Sequence, residues 1–297
     1  MSRFIRYWLY PLLLMATLAV AVLSMRVEDS NLQRLFAWFA GGRLVLLFLV
    51  EWLRPLRKEW AMTWRSFARD LKYAVVLGGG GYLVKFAAGW LSIGVASNSN
   101  GALSTWPLVV QLIVLALAYE FVQYWLHRTS HEGRGTIGRF LWRTHVQHHL
   151  PKRVYLLMHV VSHPINFALV MMVNIGVVYV LGVGGAAVFL FQVILGLQGL
   201  VSHFNVEIKA GPLNYFLVGT ELHRIHHSAD LEDRGNYGVL TPFWDLVFGT
   251  FRYHPDRPPS ALGVGDPQNY PSSNRLLATL MLPFRPAMTY TRSDEEP

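Results

Sequence analysis

The sequence predicts an all-α protein: a multi-span membrane helical bundle of about six apolar spans with a histidine-rich helical cap on its cytoplasmic side. Three observations carry this. Of the 297 residues 53% are hydrophobic and only 15% charged, where a soluble domain has roughly 25% charged residues. Apolar runs approaching the ~20 residues needed to cross a bilayer recur along the chain. Nine of the twelve histidines fall into three clusters and one single within residues 127–227.

The apolar runs lie at about 7–24, 35–53, 73–97, 106–126, 164–182 and 185–202. The first follows Met1-Ser-Arg3-Phe-Ile-Arg6 and shows no clear small-residue cleavage site, so it reads as a retained helix rather than a signal peptide. The second contains Gly41-Gly-Arg43, which weakens the reading of its start, and the third contains Gly78–Gly81 and Lys85. The glycines suit close packing or a kink, and Lys85 must snorkel or face the bundle. The loops set the orientation. Residues 54–72 carry Arg54, Arg57, Lys58, Arg65, Arg69 and Lys72, and 127–153 is again basic. The stretch 98–105 and the turn at 182–185 carry no charge. By the positive-inside rule the basic loops and both termini are cytoplasmic. Beyond 227 a polar turn leads into a short amphipathic surface helix around 243–250. Residues 276–283 are too short to span and pack at the interface, and the tail 293–297 reads as disordered. Three regions follow: membrane spans over 1–105, a catalytic region over 106–252, and an interfacial segment with tail over 253–297.

Composition narrows the chemistry. Net charge is +8 with a pI near 9.8; in an apolar chain this places basic loops against anionic lipid rather than on nucleic acid. The chain has no cysteine, which excludes disulfides, thiolate nucleophiles, iron–sulfur clusters and Cys-based zinc sites. Any metal must be held by nitrogen and oxygen.

The clusters are His127-Arg-Thr-Ser-His131, His145-Val-Gln-His148-His149 and His223-Arg-Ile-His226-His227, with His203 alone in Ser202-His203-Phe204-Asn205. Residues i and i+4 share a helix face, so each cluster aims at least two imidazoles one way, and neutral imidazole is the commonest metal ligand at neutral pH. Nine histidines exceed the needs of one ion, and two ions are the simplest count. All nine fall at one membrane surface in the topology above. A transporter would place ligands at mid-membrane, which disfavours a metal transporter, although a membrane metal-binding protein remains the competing class. No H-E-x-x-H is present for a zinc hydrolase, the Glu-x-x-His pattern of soluble carboxylate bundles is absent, and a bis-His haem would leave seven histidines unused. A His-rich non-haem di-iron centre that activates oxygen at a membrane surface remains.

H-x-x-x-H, H-x-x-H-H, H-x-N and H-x-x-H-H in this order resemble the fatty acid hydroxylase/sterol desaturase superfamily of integral-membrane di-iron oxygenases. Gly211-Pro-Leu-Asn214, Glu221-Leu-His223, Asn236-Tyr-Gly238, Trp244-Asp245 and Phe248-Gly249-Thr250 are similar to the family's C-terminal signature, and His163-Pro164 to its His-Pro. The resemblance covers about 115–252. It implies that His127, His131, His145, His148, His149, His203, His223, His226 and His227 are catalytic and hold two Fe ions, with O2 as co-substrate. Some members have a further histidine where this chain has Glu207; Asn205 or Glu207 then completes the shell, while His163 and Asp245 stand behind it. Glu120 and Glu132, like Asp245, are candidates to orient imidazole N–H groups. His159 and His254 are expected to be non-ligands.

The resemblance further implies hydrogen abstraction from an unactivated C–H bond of a membrane lipid, giving an alcohol or an alkene. The lipid is a sterol or hopanoid, a fatty acyl chain, an ether lipid, a carotenoid or an amino-acid-containing lipid. The sequence has no cysteine for a ferredoxin centre of its own, so electrons come from a separate ferredoxin or small cytochrome with its reductase. Arg134, Arg139, Arg143, Lys152 and Arg153 offer a basic face to such a donor or to lipid headgroups. The compact chain points to a bacterial inner membrane.

Overall fold

A computed structural model describes residues 3–25, 30–95 and 101–285, with side chains described for 3–25, 34–79 and 101–285. Among the described residues the regular secondary structure is helical, apart from one isolated bridge between Ser228 and Leu262. The protein is all-α and integral to a membrane. Five helices are long and apolar enough to cross one: α1 (Arg3–Met25), α2 (Ser30–Leu53, apolar from Arg34), α4 (Leu108–Glu132), α6 (Pro164–Leu181) and α7 (Gly185–Ser202). The run expected at 73–97 belongs to α3 (Trp64–Val95), a helix whose side chains beyond residue 79 are not described. The side chain of Lys85, residues 98–100 and the tail 293–297 lie outside what the structure describes.

Two helices extend beyond what hydropathy predicts. α2 passes unbroken through Gly41 and Gly42, where a Cβ would meet nothing within 4 Å. Glycine costs ~1 kcal/mol in a helix in water, but in lipid an unpaired backbone group costs more, so the helix holds. α4 continues past its apolar run to Glu132, ends at left-handed Gly133, and so carries His127 and His131 on its last turns. The pair α6–α7 matches its expected boundaries. Pro164 opens α6, and left-handed Gly182 closes it. Gly182 also lies back to back with Gly101: a Cβ on Gly101 would stand 2.2 Å from the Gly182 carbonyl oxygen.

α4 packs on α6 and α7, α1 bridges α2 and α7, and α3 lies along α6. Large apolar side chains such as Trp38, Trp52, Met172 and Val180 face outward, as lipid contact allows. One core, with Leu9, Tyr10, Leu13, Leu47, Leu197, Val201, Phe204 and Val206, joins α1, α2 and α7 to the chain after α7. Polar pairs form inside the bundle: Tyr10 Oη donates to Gln198 Oε1 at 2.9 Å and Gln192 Nε2 to Asn174 Oδ1 at 2.6 Å.

The cap is built from α5 (Gly135–His149), α8 (Thr220–His226), α9 (Phe243–Phe248) and α10 (Leu276–Leu280). α5 packs on α4, and α8 on the end of α7. α9 exposes Phe243, Leu246, Val247 and Phe248, as an interfacial helix does. Arg69 and Asp70, both buried at the base of α3, form an ion pair. Arg69 also donates to Tyr155 Oη at 2.7 Å and to Ser273 Oγ at 3.0 Å, which ties the C-terminal segment to the bundle.

Candidate metal centre

Five short-range placements bring the nine clustered histidines together. α4 supplies His127 and His131, α5 supplies His145, His148 and His149, and His203 caps α7. α8 supplies His223 and His226, and His227 caps it. They form two groups, each with one ring nitrogen per residue within 4.8 Å of all the others. His127, His131, His145, His149 and His226 make group one; His148, His203, His223 and His227 make group two. The two H-x-x-H-H motifs are crossed. In α5 the i,i+4 pair His145/His149 serves group one and His148 serves group two, whereas at α8 the pair His223/His227 serves group two and His226 group one.

Hydrogen bonds fix the state of three of the rings. His127 Nδ1 lies 2.7 Å from the Tyr237 carbonyl oxygen, His148 Nδ1 2.9 Å from that of Val161, and His226 Nδ1 2.9 Å from that of Gly235. A carbonyl only accepts, so these Nδ1 atoms carry the proton and each neutral ring turns an Nε2 lone pair into its group. His145 Nε2 is 3.1 Å from His127 Nε2 and 3.0 Å from His149 Nε2. His203 Nε2 is 3.0 Å from both His148 Nε2 and His223 Nε2, and His223 Nε2 is 3.1 Å from His227 Nε2. His131 Nε2 and His226 Nε2 are buried with no hydrogen-bond partner. Lone pairs converging without donors between them repel, and a cation at the centre of each group removes the conflict. The donor set therefore fits metal, and all-imidazole ligation suits a first-row transition ion.

Burial keeps the imidazoles neutral. It pushes His148 down to about 4. It holds His145, His149, His203, His223, His226 and His227 well below the ordinary histidine range, and neighbouring imidazoles lower them further. Neutral imidazole is the metal-binding form.

The supporting shell works through backbone more than through carboxylates on imidazole. Asp245 accepts from Tyr237 N and Gly238 N, each at 2.8 Å, and from Thr250 Oγ1 at 2.7 Å. Glu120 accepts from Val239 N at 2.5 Å and Leu240 N at 2.9 Å. The two carboxylates pin residues 237–240, and the Tyr237 carbonyl orients His127. Gly238 is required there, since a Cβ would stand 2.5 Å from Thr241 O and 3.0 Å from Asp245 Oδ2. Glu132 instead pairs with Arg128 at 2.8 Å. Asn205 brackets the backbone of Arg57, donating to its carbonyl at 2.9 Å and accepting from its N–H at 3.2 Å. Glu207 turns to Arg6 at 2.5 Å. Both stand outside the two groups. His163 caps α6, accepting from Ile165 N at 3.0 Å, with its Nε2 3.0 Å from Leu280 O. His159 flanks His203, with ring centroids 5.4 Å apart, and His254 faces Asp233; neither joins a group.

Two contributors carry no sequence signal of their own. Arg224, buried inside the last motif, donates to Phe204 O at 2.8 Å and Val206 O at 3.0 Å, locking α8 to the His203 turn. Burial lowers its guanidinium to about 10. Trp142 lies one turn before His145 and packs on group one. A cleft of about 680 Å³ reaches His131, His149 and His226, with Asp230, Arg234 and Asp266 along its lining.

Residues 112–250 match the family model described as fatty acid hydroxylase. The ornithine lipid hydroxylase OlsE of Rhizobium tropici is 28% identical over 261 residues, which cover 85% of this chain and 76% of that protein. The very-long-chain aldehyde decarbonylase GL1-6 of Oryza sativa subsp. indica is 26% identical over 159 residues, covering 50% of this chain and 24% of that protein. Protein CER1-like 2 of Arabidopsis thaliana is 24% identical over 155 residues, covering 47% and 24%. The chain thus spans about a quarter of the length of these plant relatives. No solved structure matches. Over this stretch the chain is similar to the fatty acid hydroxylase family, and the whole histidine pattern lies inside it.

Proposed function

We propose that the protein is a membrane-bound non-haem di-iron oxygenase that hydroxylates, or desaturates, an unactivated C–H bond of a lipid, using O2 and electrons from a separate ferredoxin or small cytochrome with its reductase. The observation that carries this is the pair of imidazole groups, five and four strong, side by side in a cap on a membrane bundle. His127, His131, His145, His149 and His226 hold one Fe, and His148, His203, His223 and His227 the other. Iron bound there supplies oxygen activation and the oxidising power to break a C–H bond. The chain keeps the imidazoles of the cap neutral, aims the Nε2 lone pairs of His127, His148 and His226 inward through the carbonyls of Tyr237, Val161 and Gly235, and encloses the groups in buried side chains that exclude competing reactions. In the orientation set by the basic loops, the groups face the cytoplasm of a bacterial inner membrane.

Among lipids, an amino-acid-containing lipid is the substrate class best supported. The relative that aligns over most of the chain is named for an ornithine lipid. The cleft at group one also carries both signs of charge, Arg234 against Asp230 and Asp266, which suits a zwitterionic head.

The test is metal content and Mössbauer spectroscopy on protein grown with iron-57, followed by ornithine lipid, O2 and a reducing system. Near two coupled irons per chain and a lipid product gaining one oxygen from 18O2 are expected, with both lost in His148→Ala. Tight zinc and no iron under iron-replete growth would sink the proposal in favour of a metal transporter or metal-binding protein.

A further inference from the structure

Group one is flanked by oxidisable rings, and group two is not. Trp142 stands 5.3 Å from His131, 6.1 Å from His149 and 6.5 Å from His145, centroid to centroid. Among the described residues no Trp or Tyr ring contacts His148, His203, His223 or His227. Trp142 sits on α5 at i−3 and i−7 from His145 and His149, so its ring lies on the ligand face of that helix. Its indole Nε1–H donates to Tyr270 Oη at 2.7 Å, and the two rings are 6.3 Å apart. Tyr270 is half-buried and has the charged groups Asp266 and Arg143 near it. The other ring on group one, Tyr237, is buried, lines the same cleft, and packs on Tyr124 of a membrane span.

We infer that Trp142 and Tyr270 form a one-electron wire from group one to the protein surface, which discharges the centre when it has been oxidised by O2 and no substrate C–H bond is in place. Trp142 gives one electron to the oxidised centre. Tyr270 gives one electron to the indole radical cation and its phenolic proton to water, leaving Trp142 restored and a neutral tyrosyl radical. A one-electron reductant outside the protein and a proton from water return Tyr270 to its phenol. The geometry suits each step: the indole contacts three ligand rings, the N–H···O bond couples indole to phenol directly, and the phenol, half-buried like the indole, stands one ring farther from the ligands. The inference rests on the oxygenase reading.

The experiment uses full-length, iron-loaded protein in lipid nanodiscs without substrate, reduced and then pulsed with O2. Rapid freezing and electron paramagnetic resonance follow, with ring-deuterated tyrosine to identify the radical. A tyrosyl signal is expected in the parent protein and its loss in both Trp142→Phe and Tyr270→Phe, with iron content and O2 uptake unchanged in Tyr270→Phe. A merely structural Trp142 would alter iron content or melting temperature and leave the radical in place. Normal iron and O2 uptake with no tyrosyl radical, or with one that survives both substitutions, overturns the wire and leaves the oxygenase standing. Absence of iron or of O2 uptake in the parent overturns both. Should a variant fail to take up iron, peptide mapping of the parent decides: oxygen adducts fall on Trp142 and Tyr270 if the wire operates, and on Tyr237 or the ligands if it does not.

Discussion

Asp245→Asn tests whether group one is held through the backbone of residue 237. The carboxylate spends Oδ1 on Tyr237 N and Thr250 Oγ1 and Oδ2 on Gly238 N, all within 2.8 Å. An amide of the same shape has one acceptor atom. In either orientation its NH2 is set against at least one backbone N–H, in a site with no exposed surface. One broken charge-assisted bond and one unsatisfied buried donor cost about 2–3 kcal/mol. The Tyr237 carbonyl shifts with its own N–H, and His127 loses the partner 2.7 Å away that fixes its tautomer. Outer-sphere losses of this kind typically lower metal affinity by about tenfold to a hundredfold. Group two is oriented through Val161 and the His203 turn and is untouched. The assay is chelator competition on the two-iron protein, followed by metal analysis. One ion per chain should leave at ten- to a hundredfold lower chelator strength (roughly, from) and the other at the parental strength. Loss of both ions together, or of neither, would refute the relay.

Three further outcomes follow from the same geometry. Arg224→Met leaves the carbonyls of Phe204 and Val206 without the Nη2 donor they share and should cost about 2–4 kcal/mol, loosening His203 and releasing the group-two ion first, as read by the same chelator titration. Gly101→Ala drives a Cβ to 2.2 Å from backbone oxygen and should lower the melting temperature in detergent without changing iron stoichiometry at low temperature. The metal-free protein should be less stable in acid. His148 titrates at 6.5 when unfolded and at about 4 when folded, so the unfolded chain binds the proton first. The contribution is complete above pH 6.5 and is lost as pH falls through 6.5 toward 4, by up to about 3 kcal/mol for this residue. Melting with chelator at pH 7.5 and pH 5 checks this, and equal or greater stability at pH 5 would contradict it.

The parts legible in the sequence are those encoded by local signals. α6 and α7 read true because Pro164 starts the first and Gly182 separates the two. Hydropathy stops α4 nearly two turns early because it falls where His127 enters, although the helix does not end until Gly133 takes the left-handed conformation. α3 starts at Trp64 rather than 73 because its first turns stand outside the apolar run and are fixed by Arg69 and Asp70 in the cap. Spacing shows that each cluster aims imidazoles together, but not which ring joins which group, since that depends on how α5 and α8 lie against each other. The orienting carbonyls of Tyr237, Val161 and Gly235 are invisible to sequence because every residue has one. Asn205 and Glu207 sit close to the motif along the chain, yet Asn205 is drawn to the backbone of Arg57 and Glu207 to Arg6, contacts that only the meeting of α1, α2 and α7 creates.

The crossed assignment of the two H-x-x-H-H motifs has a mechanical meaning. His148 and His149 are joined by a single peptide bond yet serve different groups, and so do His226 and His227. The separation of the groups is therefore spanned twice by neighbouring residues, and covalent geometry acts as the ruler. Breathing of the spans in a fluid or thickened bilayer can tilt the cap or open its cleft, but it cannot draw the two groups apart without unwinding α5 or the end of α8. The reactive spacing is insulated from the membrane to which the protein belongs.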